Sequence, residues 1–137
     1  AGGRLIVQTP HPDHYALAAV RDGSREAFYP QELEFRAELG YPPFRRLCQI
    51  SALGKAAAGA RALLDEVSDA LRGIPELTIY PAMALGRAGA ATAARLRFVV
   101  KGPADLPRRI GPALRPFLER GRRSHGMVEI EMDPLSI

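Results

Sequence analysis

Arginine is the residue type with the clearest chemical potential in this sequence. Residues 87–123 hold ten basic side chains against only Asp105 and Glu119. Arg95, Arg97 and Lys101 are separated by even intervals, so an extended chain presents all three on one face. Arg108 and Arg109 are adjacent, as are Arg122 and Arg123, and Arg87 stands in a run of Gly and Ala. A planar guanidinium donates two parallel hydrogen bonds to a phosphate or a carboxylate. The chemistry of such a cluster is therefore recognition of anions. Its local positive field draws polyanions, nucleic acid first and an anionic protein tail second. Two blander accounts compete. An Arg-rich surface also serves solubility. Arg120, Arg122 and Arg123 also stand where the end of a helix carries partial negative charge.

Bond-breaking chemistry has less support. His11, His14 and His125 all fall in turn-like segments. His11, Asp13 and His14 could ligate a metal, but no fourth ligand is suggested and Pro10 and Pro12 explain the segment as a turn. No metal site is assigned. Cys48 lies between apolar neighbours, which predicts a buried structural thiol. The run Gly86-Arg87-Ala88-Gly89 joins no clear strand to a clear helix, and no Lys-Ser or Lys-Thr follows it, so it is not a phosphate loop. Glu129, Glu131 and Asp133 share a strand face and its end. Paired carboxylates can do acid–base work, but partnership with nearby arginines is the simpler role. No catalytic residue is assigned, and no constellation supports an independent small enzyme.

These side chains need elements to position them. Residues 4–9 are a short apolar run that predicts a buried strand with no partner strand nearby. Pro10–Asp13 reads as a turn, and Asp13 can cap a helix over 14–20 that Asp22-Gly23 stops. Ser24 can cap a second helix running to Leu39 and Gly40, in which Pro30 predicts a break or kink near Tyr29. Tyr41-Pro42-Pro43 marks a boundary. Residues 45–52 then alternate as a strand, with Arg46, Cys48, Ile50 and Ala52 facing a core. Residues 55–72 carry Leu63, Leu64, Val67 and Leu71 at helical spacing, closed by Gly73 in a left-handed cap. Residues 77–80 are a short strand, and the Gly/Ala-rich stretch 82–94 reads as a flexible excursion. Residues 95–101 form a strand with Leu96, Phe98 and Val100 opposite Arg95, Arg97, Val99 and Lys101. Asp105 can cap a last helix that Pro112 and Pro116 should bend or split. Residues 127–132 are the final strand, with Val128, Ile130 and Met132 opposite Met127, Glu129 and Glu131. The fold class is α+β: a four-stranded antiparallel βαββαβ sheet with two helices on one face, preceded by a strand–helix–helix tail.

Composition sets the frame. The chain has 137 residues, of which 47% are hydrophobic and 25% charged, with a net charge of +4. These are globular values that argue against wholesale disorder. The charge is uneven: residues 1–43 carry a net −2 and residues 44–137 a net +6. One cysteine excludes an internal disulfide and a multi-cysteine zinc site, and a reducing, cytoplasmic setting is expected. No apolar run approaches the roughly 20 residues that span a bilayer, so no membrane partner is expected. The N-terminal Ala-Gly-Gly-Arg has no initiator Met and predicts that the chain is a piece of something longer.

Several motifs occur together and in order. They are Gly3-Arg-Leu-Ile-Val-Gln-Thr9, Pro12-Asp13-His14, Ala27-Phe28-Tyr29, Gln31-Glu32-Leu33 with Arg36, Leu39-Gly40-Tyr41-Pro42-Pro43-Phe44, and Asp133-Pro134-Leu135. The set resembles the C-terminal part of the PriA family, the primosomal protein N′ or replication-restart helicases, across nearly the whole chain. The resemblance implies that residues 1–40 are the end of the second helicase lobe and that 41–137 are the C-terminal domain. That domain has a compact α+β fold similar to a small-subunit ribosomal protein. It contributes to binding branched or single-stranded DNA and to the site for the acidic tail of the single-stranded-DNA-binding protein. Family tail contacts at the start of the last helix fall at Arg108 and Arg109. ATP, magnesium and zinc are implied only for the full-length parent. This stretch has no ATP-binding motif, no cysteine-rich zinc module and no implied cofactor. Where the family carries aromatics, this chain has Ala93-Ala94-Arg95-Leu96-Arg97, which predicts phosphate contacts in place of base stacking.

The expected function is DNA replication restart. Residues 41–137 would bind forked or single-stranded DNA through Arg87, Arg95, Arg97, Lys101, Arg122 and Arg123. Arg108 and Arg109 would meet the acidic tail, and other primosome proteins are expected partners. The parent would be an ATP-dependent DNA helicase or an inactive relative. The alternative is a structural domain that packs on the helicase lobes and binds little DNA of its own.

Overall fold

The computed structural model describes residues 3–54, 56–85, 94–121 and 126–134. The chain forms two compact units, Ala1–Leu39 and Gly40–Ile137. Arg87, Arg122, Arg123 and His125 lie outside the described residues.

The first unit holds two helices, α1 (Tyr15–Asp22) and α2 (Arg25–Leu39). The ring nitrogen Nδ1 of His14 accepts a hydrogen bond from the Ala16 amide at 3.2 Å, so His14 caps α1 where Asp13 was expected to. Gly23 ends α1 at φ 65, a left-handed conformation that costs glycine little. Tyr15 stacks on Phe28 and donates a hydrogen bond to Glu32, which also accepts from Arg36 at 2.6 Å. Helix α2 continues through Pro30 without the expected break. The ring removes one backbone hydrogen bond, to Glu26, and Glu26 is exposed enough for its carbonyl to reach water. The expected strand over 4–9 does not form. Leu5 and Ile6 are 77% and 90% exposed, because a lone strand has no ladder to join among the described residues.

The second unit is an α+β sandwich of one sheet and two helices. Its elements are β1 (Arg46–Gly54), α3 (Ala57–Leu71), β2 (Thr78–Ile79), β3 (Met83–Leu85), β4 (Ala94–Gly102), α4 (Leu106–Gly121) and β5 (Gly126–Met132). The sheet is antiparallel in the order β2-β4-β1-β5, and β3 also pairs with β4. Alternation sends Cys48, Ile50 and Ala52 of β1, Phe98 and Val100 of β4 and Val128 of β5 to one face. Ala60, Leu64, Val67 and Leu71 of α3 cover that face together with Leu106, Ile110, Leu114 and Phe117 of α4. Each fully buried Leu or Ile among these contributes about 1.5–3 kcal/mol of transfer free energy. Burial also pushes the Cys48 thiol up to about 12, leaving it a packing group rather than a nucleophile.

Three local expectations change. The anticipated second strand is two pieces. Tyr80 N–H donates to the Val99 carbonyl at 2.9 Å and Met83 pairs with Arg97, so Pro81 and Ala82 together oppose Phe98. That extra residue is a bulge, and Pro81, with no N–H, sits where the ladder must lapse. Helix α4 runs unbroken through Pro112 and Pro116, which lie four apart on its exposed side. The carbonyls they leave unbonded face water. Helix α3 closes on Arg72 in ordinary helical conformation, without a left-handed Gly73. The positive φ falls instead at Glu76, at 63°.

Candidate nucleic-acid interface

Helices α3 and α4 both pack on one sheet face, so neither of them covers the other face. Alternation places Arg95, Arg97, Val99 and Lys101 of β4 on that other face, as the sequence pattern predicts. Leu47, Gln49, Ser51 and Leu53 of β1 lie beside them, then Met127, Glu129 and Glu131 of β5. This face is graded across its strands, acidic along β5, neutral along β1 and basic along β4, and Leu47, Gln49, Ser51 and Val99 on it are buried, each at 8% exposure or less. Arg95 is ion-paired with Glu129, and both are about two-fifths exposed. Arg97 donates from Nη1 to the Gln49 side-chain carbonyl at 2.6 Å, and Gln49 donates in turn to Glu131 at 3.4 Å. The buried Nε of Arg97 has no hydrogen-bond partner among the described residues. Lys101 holds its ammonium 5.7 Å from the ring centres of both Tyr41 and Tyr80, within cation–π reach.

Those two tyrosines are candidate site residues that sequence reasoning missed. Tyr41 enters from the turn before β1, where its carbonyl accepts from the amides of Phe44 and Arg45. Gly40 precedes it at φ 62, with the Lys101 ammonium close to where a Cβ would project. Tyr80 is held by its backbone bond to Val99 just before the bulge. The bulge then returns Met83 to the same face. Between them opens a slot of about 140 Å³ lined by Tyr41, Leu47, Tyr80, Met83, Arg97 and Val99, with Pro81 and Phe98. Tyr41 and Tyr80 are each nearly two-fifths exposed, and Met83 is 54% exposed.

The remaining predicted residues are elsewhere. Helix α4 packs on the core face, so Arg108 and Arg109 stand on the other side of the sheet from the β4 row. Arg108 is exposed and makes no ion pair among the described residues. Arg109 is engaged as a clamp. Its guanidinium bonds Asp105 at 2.9 and 3.0 Å, Glu76 at 2.7 Å and the Pro75 carbonyl at 3.4 Å. Arg45 donates to the Glu76 carbonyl at 2.8 Å, so two arginines hold the turn that carries the positive φ. The hydrogen bond from Arg109 holds the Asp105 carboxyl below the usual carboxylate range. Arg120 reaches Glu66 on α3 at 3.3 Å and lies over the Phe117 ring, so its contacts join the two helices. At the end of β5, Asp133 bonds Leu47 in both directions, with its amide to the carbonyl at 2.8 Å and its carboxylate to the amide at 3.0 Å.

Comparison with known proteins agrees on one family. A family description, the primosomal protein N C-terminal domain, matches residues 37–135. The replication restart protein PriA of Treponema pallidum is 32% identical over 143 aligned residues, covering 98% of this chain and 21% of that protein. The replication restart protein PriA of Bacillus subtilis is 25% identical over 138, covering 96% of this chain and 17% of its own. That of Thermotoga maritima is 32% identical over 71, covering 52% of this chain and 10% of its own. The chain thus spans about a fifth or less of the length of these relatives.

Proposed function

This chain belongs to the family of the primosomal protein N C-terminal domain, and on that premise we propose that residues 40–137 bind DNA for a replication-restart protein. The bound form is forked or single-stranded DNA. The observation that carries this reading is the sheet face opposite α3 and α4, where Arg95, Arg97 and Lys101 line one strand, Arg95 exposed and the other two half-buried. Lys101 between two exposed tyrosines adds the aromatic component that single strands favour. The acidic edge at Glu129 and Glu131 steers a polyanion toward the β2–β3 side of the face. The acidic tail of a single-stranded-DNA-binding protein would meet Arg108 on the opposite side, so the two anions need not compete. The parent would be an ATP-dependent helicase acting in the cytoplasm with other primosome proteins, and this stretch would supply grip rather than catalysis.

A specific observation favours the structural alternative. Arg46, Arg95, Arg109 and Arg120 are all paired with carboxylates of the same unit. A domain that only braces helicase lobes would use its arginines in this way.

Fluorescence anisotropy of labelled forked and single-stranded DNA, titrated with this chain at low and near-physiological salt, separates the two. With about four phosphate contacts, log affinity on a single strand falls with log salt at a slope of about −3. The double variant Arg97→Glu, Lys101→Glu should abolish most of that binding. No binding at low salt would leave the bracing role.

A further inference from the structure

We infer that the slot between Tyr41 and Tyr80 receives one unstacked pyrimidine base of a single strand, which makes this face a reader of single-stranded rather than duplex DNA. The inference rests on the nucleic-acid reading above and names what that face holds.

Size is the first ground. The slot measures about 140 Å³. A cavity on the order of 150 Å³ accommodates one benzene-sized ring. A single six-membered heterocycle fits, and a fused purine does not fit whole.

The lining is the second. Two phenol rings, the thioether of Met83 and the aliphatic walls of Leu47 and Val99 present polarisable and apolar surface. Such surface meets the face of a base without reading its edge. Met83 and both tyrosines remain substantially exposed at the rim of the slot, while Leu47 and Val99 are buried at its base.

Charge is the third ground, and it selects a nucleotide over an apolar peptide side chain. Lys101 stands 5.7 Å from each ring centre, and Arg97 contributes to the wall itself. A base entering the slot brings its own phosphates to these cations. The Gln49 carbonyl fixes the Arg97 guanidinium at 2.6 Å, so that cation is aimed before any ligand arrives.

Construction of the slot explains why it exists. Pro81 breaks the ladder and the extra residue at 81–82 lets Tyr80 and Met83 both face outward. A regular strand would close that gap. Duplex DNA keeps its base faces stacked on one another, so only an unpaired nucleotide can enter.

The test compares a labelled 16-nucleotide oligothymidine with an abasic strand of equal length and charge, using this chain by fluorescence anisotropy. The base slot predicts about tenfold weaker binding of the abasic strand. Tyr80→Ala and Tyr41→Ala should bring oligothymidine down toward the abasic value while leaving the salt slope unchanged. Tyr80→Phe, which keeps the ring, should bind as the parent does. Equal affinity for the two strands overturns the slot and leaves a plain phosphate track. Failure to bind either strand at low salt overturns the nucleic-acid reading itself. The two-strand comparison needs no variant, so it decides the matter even if a substitution unfolds the chain.

Discussion

Asp133 joins the end of β5 to the start of β1 through three of its atoms. Its amide and its carboxylate both bond Leu47, and Oδ2 lies 2.6 Å from Nε of Arg46. It does so at φ 47, in a region that Asp and Asn tolerate better than other residues with a Cβ. Leu47 is 3% exposed, so its amide has no water to fall back on. Asp133→Ala removes that acceptor and keeps the strained backbone. We expect a loss of about 1–3 kcal/mol in urea unfolding. Asp133→Asn keeps the acceptor and the tolerance of positive φ, and should lose about 1 kcal/mol or less. Equal losses would mean that the ion pair with Arg46, not the backbone bond, is what matters. Asp133 of the Asp-Pro-Leu motif thus has a structural meaning in this chain: it fastens the β5 end to the β1 start.

The junction of β4 and α4 shows the same economy in packing. A Cβ on Gly102 would stand 2.7 Å from Cδ1 of Leu106 and 2.8 Å from Cδ2 of Leu77. Leu106 is fully buried and begins the apolar stripe of α4. Gly102→Ala should therefore cost about 1–3 kcal/mol through overpacking, read as a lower urea midpoint at unchanged slope. Much of this architecture was legible from local pattern. The residues of β1, β4 and β5 alternate between the face that α3 and α4 cover and the opposite face, although in β1 Leu47, Gln49 and Ser51 are buried as well as Cys48, Ile50 and Ala52, and the apolar spacing of α3 and α4 follows from packing on the first face. What escaped the sequence depends on partners. Residues 4–9 have strand composition but no strand to pair with. Pro112 and Pro116 look like helix breakers until their spacing puts both on the exposed side. The second strand looks single until pairing with β4 inserts the bulge. Tyr41 and Tyr80 are far apart in sequence, and only the shared neighbour Lys101 brings them together. A site made by non-local pairing leaves no local signature, whereas a row of cations on one strand does.

Across the unit, the charges are sorted rather than merely abundant. The net +6 of residues 44–137 includes carboxylates that line β5, separated from the basic strand β4 by β1. Glu129 holds Arg95 in an exposed ion pair, an interaction worth about 0–1 kcal/mol in water. So weak a pair can be exchanged for a phosphate, but the freed carboxylate would then repel the same strand of DNA. Glu129 therefore restrains the outer end of the basic row. Glu129→Gln removes the restraint and keeps the shape. If Arg95 borders the DNA track, the variant should bind oligothymidine several-fold more tightly at low salt. Its slope of log affinity against log salt should steepen by about 0.7, the increment of one added phosphate contact on a single strand. A tighter complex with an unchanged slope would mean that Glu129 acts only by repulsion. No change in either quantity would place Arg95 off the track and confine the binding face to Arg97, Lys101 and the tyrosines beside them.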